Sequence, residues 1–373
     1  DIGAINNFLN KFIPAGFYYK TFMWPKSFWH KVYEPFIRKA AGFGVASTKH
    51  DQERYEHKYE YCDLLITGSG PSGLASAYAA AQNGARVILA EDKPRFGGSL
   101  LTDEVTIGNQ SGKEWSEKII SELKSMPNVI VKNRSQVFGY YDHNMLVMAE
   151  RISDHLPKTN KYSPKQRLWY IRAKEVIISS GSIERPLVFG NNDIPGVILS
   201  SAAKEYLKVY GVLVGRKPIV FTNNDSGYET AIEFKKNGID PIVLDTRAES
   251  NSEIVKEAKN LNINIKFSYV VVSAKGYKKV KSADIAKISN DKKDISNIEN
   301  INCDCICVSG FWTPTIHLAS QSGNKTKFKE EIDAFIPSKS KQKETTLGSA
   351  NGIFTLEETL KTSFEKGSEL SKQ

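Results

Sequence analysis

The chain reads as an α/β protein built from two nested Rossmann-like lobes. Three observations carry that reading. Residues 62–98 run through strand, glycine turn, helix and strand. Residues 218–245 repeat that order with most of the glycines lost. A last helical stretch, Thr355 to Lys366, follows a region of short strands and loops. The expected division is an aromatic lead-in and linker over 1–60, a dinucleotide-binding lobe over 61–205 plus 310–373, and a second lobe inserted at 206–309.

In the first unit, the apolar run Asp63 to Thr67 enters Gly68-Ser69-Gly70-Pro71-Ser72-Gly73. An alanine-rich helix follows to Gly84, and Arg86 to Ala90 forms the next strand, ending on Glu91-Asp92-Lys93. Each glycine has a physical task. Gly68 makes the sharp exit from the strand, Gly70 lets a diphosphate approach the backbone, and Gly73 lets the helix pack close. The diphosphate then meets unpaired N–H groups and the positive end of the helix dipole. Glu91 stands about 20 residues beyond the turn, where a carboxylate accepts hydrogen bonds from a ribose diol. The pair Gly97-Gly98 stands before Ser99; in oxidoreductases with two dinucleotide sites, such a glycine pair after the second strand lets backbone approach the cofactor.

Ahead of this unit, residues 8–43 are dense in aromatics, from Phe12 through Trp24 and Trp29 to Phe36. Such a segment needs cover, from the main domain or from a partner chain. His30 to Ala41 reads as a helix limited by Pro35, and 46–59 reads as a polar linker. Beyond the unit, 112–127 is helical and Asn128 to Lys132 is a strand. Val137–Tyr141, Met145–Glu150 and Leu168–Arg172 form a meander. Glu175 to Gly181 is a separate buried strand whose end, Ser180-Gly181, closes over a cofactor. In the second unit only Gly227 survives of the three glycines, and Asn223, Asn224 and Asp225 crowd the turn. A second bound dinucleotide is therefore not expected, and Asp225 or Ser226 serves as a helix cap. Thr355 and Glu358 have capping-box spacing.

At 373 residues, with 40% hydrophobic and 25% charged residues, the chain has the composition of a soluble globular protein. No apolar run reaches the ~18 residues needed to span a bilayer. A net charge of +9 is spread among scattered lysines without a nucleic-acid-binding motif, so neither nucleic acid nor membrane is expected as a partner. Four cysteines form no disulfide framework, which points to a cytoplasmic setting. Cys303, Cys305 and Cys307 alternate along a strand and read as small apolar residues under a sheet rather than a thiolate metal site.

Several words of the sequence occur together and in order: Pro14-Ala-Gly-Phe-Tyr-Tyr-Lys-Thr-Phe-Met23, Glu184-Arg-Pro-Leu-Val-Phe189, Asn192-Asp193 with Pro195-Gly-Val197, Thr222-Asn-Asn-Asp225, and Ser309-Gly-Phe-Trp-Thr-Pro-Thr-Ile-His-Leu318. In these the chain resembles the α subunit of heterotetrameric sarcosine oxidase, essentially from end to end. Related proline and opine dehydrogenases share this subunit type. The resemblance implies a fold like that of thioredoxin or glutathione reductase. That α subunit ordinarily begins with a ferredoxin-like domain and continues into a folate-binding domain. The present residues correspond to the module between them.

The resemblance further implies a complex with β, γ and δ subunits. Sarcosine is oxidised on FAD of the β subunit, and FMN lies at the interface with it. The products are glycine, hydrogen peroxide, and formaldehyde or methylene-tetrahydrofolate. The α subunit holds NAD in the first glycine loop, and related dehydrogenases hold FAD there. It carries no catalytic or metal-ligating residue over this stretch. Carried over by residue, Gly68 to Gly73 face the diphosphate, Glu91, Asp92 and Lys93 the adenine ribose, and Gly97, Gly98 and Ser99 the cofactor backbone. Val137 flanks the adenine and Ser180 and Gly181 close over the site. Asn351-Gly352 stands where flavoproteins carry Gly-Asp, which favours NAD. A free-standing flavin-dependent NAD(P)H reductase is the rival reading.

Overall fold

The computed structural model describes residues 8–12, 16, 21–158, 160, 162–289 and 291–372. The chain forms two compact units, Asp1–Glu53 and Arg54–Gln373. Among the described residues no helix is long and apolar enough to cross a membrane.

In the first unit, a π-helical turn, Trp29–Tyr33, runs into helix α1, Glu34–Ala40. Pro35 sits in the first turn of α1. The Tyr33 hydroxyl donates to the Trp24 carbonyl at 2.9 Å, and the Phe22 and Tyr33 rings lie 5.3 Å apart. Trp24, Phe36 and Phe43 remain exposed. Phe17, Tyr18, Tyr19 and Pro14-Ala15 fall outside the described residues.

The second unit opens with β1, Tyr55–Thr67, then α2, Pro71–Gln82, and β2, Val87–Ala90. A small hairpin, β3 (Thr106–Ile107) and β4 (Gln110–Ser111), leads to α3, Gly112–Ser125. Ser111 and Glu114 close a reciprocal cap there. Then come β5 (Val129–Lys132), β6 (Ser135–Tyr141), β7 (Met145–Arg151) and β8 (Gln166–Ile178). These strands make one sheet in the order β5-β2-β1-β8-β7-β6. Strands β5, β2, β1 and β8 are parallel, while β7 and β6 return antiparallel.

Two strands differ from the sequence reading. β1 begins at Tyr55, inside the stretch read as linker. Its charged residues Glu56, Lys58 and Glu60 alternate with Tyr55, His57, Tyr59 and Tyr61, the period of a half-exposed strand, and β8 pairs along its length. The separate strands expected at 168–172 and 175–181 are one, β8, of 13 residues. Its first half pairs with β7 and its last three residues with β21, Glu344–Thr346.

The connection to the second lobe is β9 (Ser182–Glu184), β10 (Val197–Leu199) and α4 (Ser200–Tyr210). The lobe continues through β11 (Pro218–Thr222), α5 (Ser226–Lys236), β12 (Ile242–Asp245), α6 (Glu253–Asn260) and β13 (Asn264–Phe267). A three-stranded antiparallel sheet follows: β14 (Tyr269–Gly276), β15 (Val280–Ile288) and β16 (Ile295–Asn302). β17, Cys305–Ser309, then enters the parallel sheet β10-β17-β11-β12-β13. The chain returns by β18 (Trp312–Pro314), α7 (His317–Gln321), the hairpin β19 (Thr326–Lys329) and β20 (Ala334–Pro337), β21, and α8 (Leu356–Leu370). Thr355 precedes α8 without capping its backbone; its hydroxyl turns instead to the Glu358 carboxylate at 3.4 Å.

A ladder of ion pairs joins the parts. Lys204 on α4, nearly buried, reaches Asp103 at 2.8 Å and Glu229 on α5. Lys208, one turn on, reaches Glu104 and Glu233 at 3.2 and 3.1 Å. Burial works against the Lys204 charge, and the two carboxylates outweigh it, so its pKa is raised.

The cysteines split between two cores. Cys305 and Cys307 share one face of β17, their sulfurs 3.6 Å apart, and pack with Tyr228 and Ala231 of α5. Cys303 lies before the strand and packs on the opposite side with Ile306 and Val308. All four thiols are free and buried. Burial pushes Cys62 and Cys303 up to about 12, and among the described residues no cluster is suited to a metal. Ellman's reagent should therefore leave the native protein unlabelled over minutes and titrate four thiols in denaturant. A thiol that reacts at once in the native protein would contradict this packing.

Candidate dinucleotide site

The site is built where β1 ends. Gly68 takes φ +96°, and a Cβ placed on it would lie 2.3 Å from the Ser179 carbonyl oxygen. A Cβ on Gly73 would lie 1.9 Å from the Gly68 carbonyl oxygen. The turn is therefore pressed between β8 and the first turn of α2. Gly70 differs: a Cβ there would point into open space. Among the described residues, the N–H groups of Gly70, Ser72 and Gly73 meet no protein acceptor. An open glycine and three unpaired donors at the start of a 12-residue helix fit a diphosphate.

The loop Gly97-Gly98 closes the other side. The Gly97 N–H donates to the Ser69 carbonyl at 3.0 Å, and a Cβ on Gly98 would meet the Gly70 Cα at 2.8 Å. Ser99 follows, exposed, at the head of a short 3-10 turn. Behind the turn, the Ser179 hydroxyl donates to the carbonyls of Thr67 (2.8 Å) and Gly68 (3.1 Å). Ser180 donates to the Thr315 carbonyl at 2.9 Å, and Gly181 lies 4.0 Å, measured from an added Cβ, from the Ser349 hydroxyl.

Glu91 is almost wholly buried. One carboxylate oxygen accepts from the Ser69 N–H (2.9 Å) and hydroxyl (2.6 Å), the other from the Lys93 N–H (2.9 Å). Burial raises its pKa, and the bonds from Ser69 and Lys93 oppose that rise. A carboxylate offers about four acceptor positions, so one is left for a ribose hydroxyl.

Several side chains named from the sequence serve other contacts. The Ser69 hydroxyl is spent on Glu91. The Ser72 hydroxyl pairs with Ser363 of α8 at 2.8 Å, so Ser72 offers its N–H alone. Lys93 points its ammonium at Glu205, 2.9 Å away. Asp92 is exposed, and Val137 is half-buried on β6 against the core that holds Leu146, Met148 and Trp169. Asn351 ends the short turn Gly348–Asn351, whose Gly348 abuts Ser72. Gly352 lies under the β19–β20 hairpin, against Ile332 and Ile336, and its carbonyl accepts from Lys329 at 3.3 Å.

Three supports were not anticipated from the sequence: the Ser69–Glu91 bond, the Ser179 hydroxyl, and the seat of α2 on α8. That seat is made of Thr359, Ser363 and Gly367, four residues apart on one helix face. A Cβ on Gly367 would lie 2.4 Å from the Ser76 carbonyl oxygen. The spacing of small residues in TLKTSFEKG is the signal that marks it.

Comparison with known proteins places this architecture. The chain is 41% identical over 337 residues to sarcosine oxidase subunit alpha of Rhizobium meliloti (strain 1021), covering 90% of this chain and 33% of that one. It is 31% identical over 325 residues to the subunit of the same name from Corynebacterium sp. (strain P-1), covering 86% and 33%. It thus spans about a third of the length of these relatives. The resemblance read from the sequence is met by both. Among solved structures, L-proline dehydrogenase from P. horikoshii superposes with a TM-score of 0.63 at 20% identity, covering 88% of this chain and 58% of that one. T. acidophilum thioredoxin reductase also gives 0.63, at 16% identity, covering 84% and 98%. The family described as pyridine nucleotide-disulphide oxidoreductase matches residues 62–338. With its glycine turn, its two parallel sheets and this match, the chain belongs to the pyridine nucleotide-disulphide oxidoreductase family.

Proposed function

We propose that the chain is the dinucleotide-holding part of the α subunit of a sarcosine oxidase, with NAD bound at the first glycine turn. The observation that carries this reading is the open turn itself: unpaired N–H groups at Gly70, Ser72 and Gly73 beside a buried carboxylate, Glu91. The 41% identity to a sarcosine oxidase subunit alpha supports the choice of complex.

On this reading the helix N-terminus holds the diphosphate, and the ring of donors orients it. Glu91 accepts from the adenine ribose while Ser69 fixes its carboxylate. The sequence Gly97-Gly98-Ser99 and the turn Ser180-Gly181 exclude water from the two sides, with Val137 beside the adenine. Asp92 and Lys93 rim the ribose, and Asn351-Gly352 marks the far end of the groove. NAD or FAD, when bound, supplies a hydride- or electron-accepting ring. The amine would be oxidised on FAD of the β subunit, with FMN at the interface and γ and δ subunits completing a cytoplasmic complex. That complex turns sarcosine into glycine, hydrogen peroxide, and formaldehyde or methylene-tetrahydrofolate.

The second reading puts FAD in the same turn, as part of a proline- or opine-type amine dehydrogenase. The superposition with an L-proline dehydrogenase favours it. Native mass spectrometry of the purified protein separates the two. Retained NAD supports the first, retained FAD the second, and an empty protein that binds neither overturns both. A yellow preparation that oxidises NADH unaided would instead support a free-standing reductase.

Glu91→Ala should weaken dinucleotide binding by ~1–3 kcal/mol, through loss of the ribose acceptor and of the Ser69 anchor. Glu91→Gln, which keeps one acceptor oxygen, should fall between. Calorimetry giving both variants wild-type affinity would remove Glu91 from the site.

A further inference from the structure

The family's description implies a pyridine nucleotide, and the second lobe repeats the strand–turn–helix–strand unit that would hold one. Its residues do not fit the ligand. We infer that the second lobe binds no dinucleotide, because its turn is closed by the chain's own side chains. This conclusion stands apart from whatever occupies the first turn.

Three of the turn's donors, the N–H groups of Asn223, Asn224 and Ser226, are already used, whereas those of Asp225 and Gly227 meet no acceptor among the described residues. The Asn224 N–H donates to the Thr222 hydroxyl at 3.1 Å, and the Asn223 N–H reaches the Ser309 carbonyl at 3.4 Å. Asn224 Oδ1 accepts from the Ser226 N–H at 2.9 Å, and Asn224 Nδ2 donates to the Ser309 carbonyl at 3.1 Å. Asp225 stands at the helix cap without a side-chain bond to it, its carboxylate drawn to Arg247, and Asn224, one residue earlier, reaches forward to accept from the Ser226 N–H. At Ser226 the turn receives from its own asparagine the acceptor that a diphosphate would bring.

The ribose position is closed as well. Asp245 ends β12, where the acid of such a unit stands, and it is wholly buried. It accepts from the Tyr228 hydroxyl (2.7 Å), the Arg247 N–H (2.9 Å) and Arg247 Nη2 (2.8 Å). A further bond from Arg247 Nε, at 3.1 Å, takes up the acceptor capacity that Glu91 keeps in the first lobe. Arg247 Nη1 then pairs with Asp225 at 2.7 Å. An anion at this turn would meet the Asp225 carboxylate and would have to break its bond to Arg247. Gly227 keeps its packing task, since a Cβ there would lie 2.7 Å from Thr222.

The test is binding stoichiometry. Equilibrium dialysis of the whole chain against NADH, NADPH and FAD is carried out on the wild type, on Gly70→Glu, and on Arg247→Ala. Gly70→Glu places a carboxylate in the open space over the first turn. The inference expects no more than one equivalent on the wild type, none on Gly70→Glu, and no loss of affinity in Arg247→Ala. A second equivalent on the wild type overturns it. So does binding that survives Gly70→Glu, or a tenfold loss of NADPH affinity in Arg247→Ala. A wild type that binds nothing leaves this inference standing and sinks the proposed function. The wild-type stoichiometry decides the matter even if a variant fails to fold.

Discussion

Gly73→Ala should abolish dinucleotide binding and destabilise the second unit by ~3 kcal/mol. The added methyl would sit 1.9 Å from the Gly68 carbonyl oxygen and 2.9 Å from the Ser179 hydroxyl, both parts of the turn's frame. Neither atom can yield as a flexible side chain would. Gly68 is backbone, and Ser179 is held by bonds to Thr67 and Gly68. The helix must move off the strand, at a cost typical of overpacked cores or more. The displaced N-terminus then no longer aims the N–H groups of Ser72 and Gly73 at one point. The expected readouts are a melting temperature lower by several degrees and loss of at least tenfold in affinity. Gly84→Ala is the control, because its Cβ would meet nothing within 4 Å, although its φ of +84° carries some strain of its own. Near-wild-type affinity and melting in Gly73→Ala would refute the close packing of α2 on β1.

Trp169→Ala carries the second large effect, about 3–5 kcal/mol. Trp169 on β8 is 1% exposed and lies in a core with Leu146, Met148 and Ile171. Its indole N–H donates to Glu150 at 2.7 Å, and Glu150 also holds Lys132 and Arg167 at 2.9 and 3.2 Å. The Lys58 ammonium stands 4.2 Å from the ring centre. Deleting the ring opens a cavity and leaves the surrounding charges without their platform. Trp169→Phe keeps most of the volume and loses the Glu150 bond, so it should cost ~1–2 kcal/mol. Guanidinium unfolding measures both. A loss below ~1 kcal/mol in Trp169→Ala would show that this ring does not hold the meander together.

The parts of the site that backbone geometry demands were readable in the chain. Only glycine fits at Gly68 and Gly73, where a side chain would strike a carbonyl, and that demand writes itself into the spacing of the turn. The two βαβ units and the cysteine strand were visible through their apolar runs for the same reason. What escaped are contacts between residues far apart in the chain. Ser69 and Glu91 are individually ordinary, and nothing local says that they bond. Ser363 and Gly367 lie nearly three hundred residues from the helix they support. The extension of β1 was hidden because Glu56, Lys58 and Glu60 have the composition of a loop, and only pairing with β8 makes them a strand. Cys303 was misplaced because β17 starts only at Cys305, after a bend at Asp304, so the alternation of the strand does not extend to it.

The shared strand β8 has a mechanical consequence. It runs unbroken from the meander, at Gln166, to Ile178, next to the serine that grips Gly68. Meander and glycine turn therefore hang on one hydrogen-bonded strand, and the exposed Tyr59 and Tyr61 of β1 pair along it.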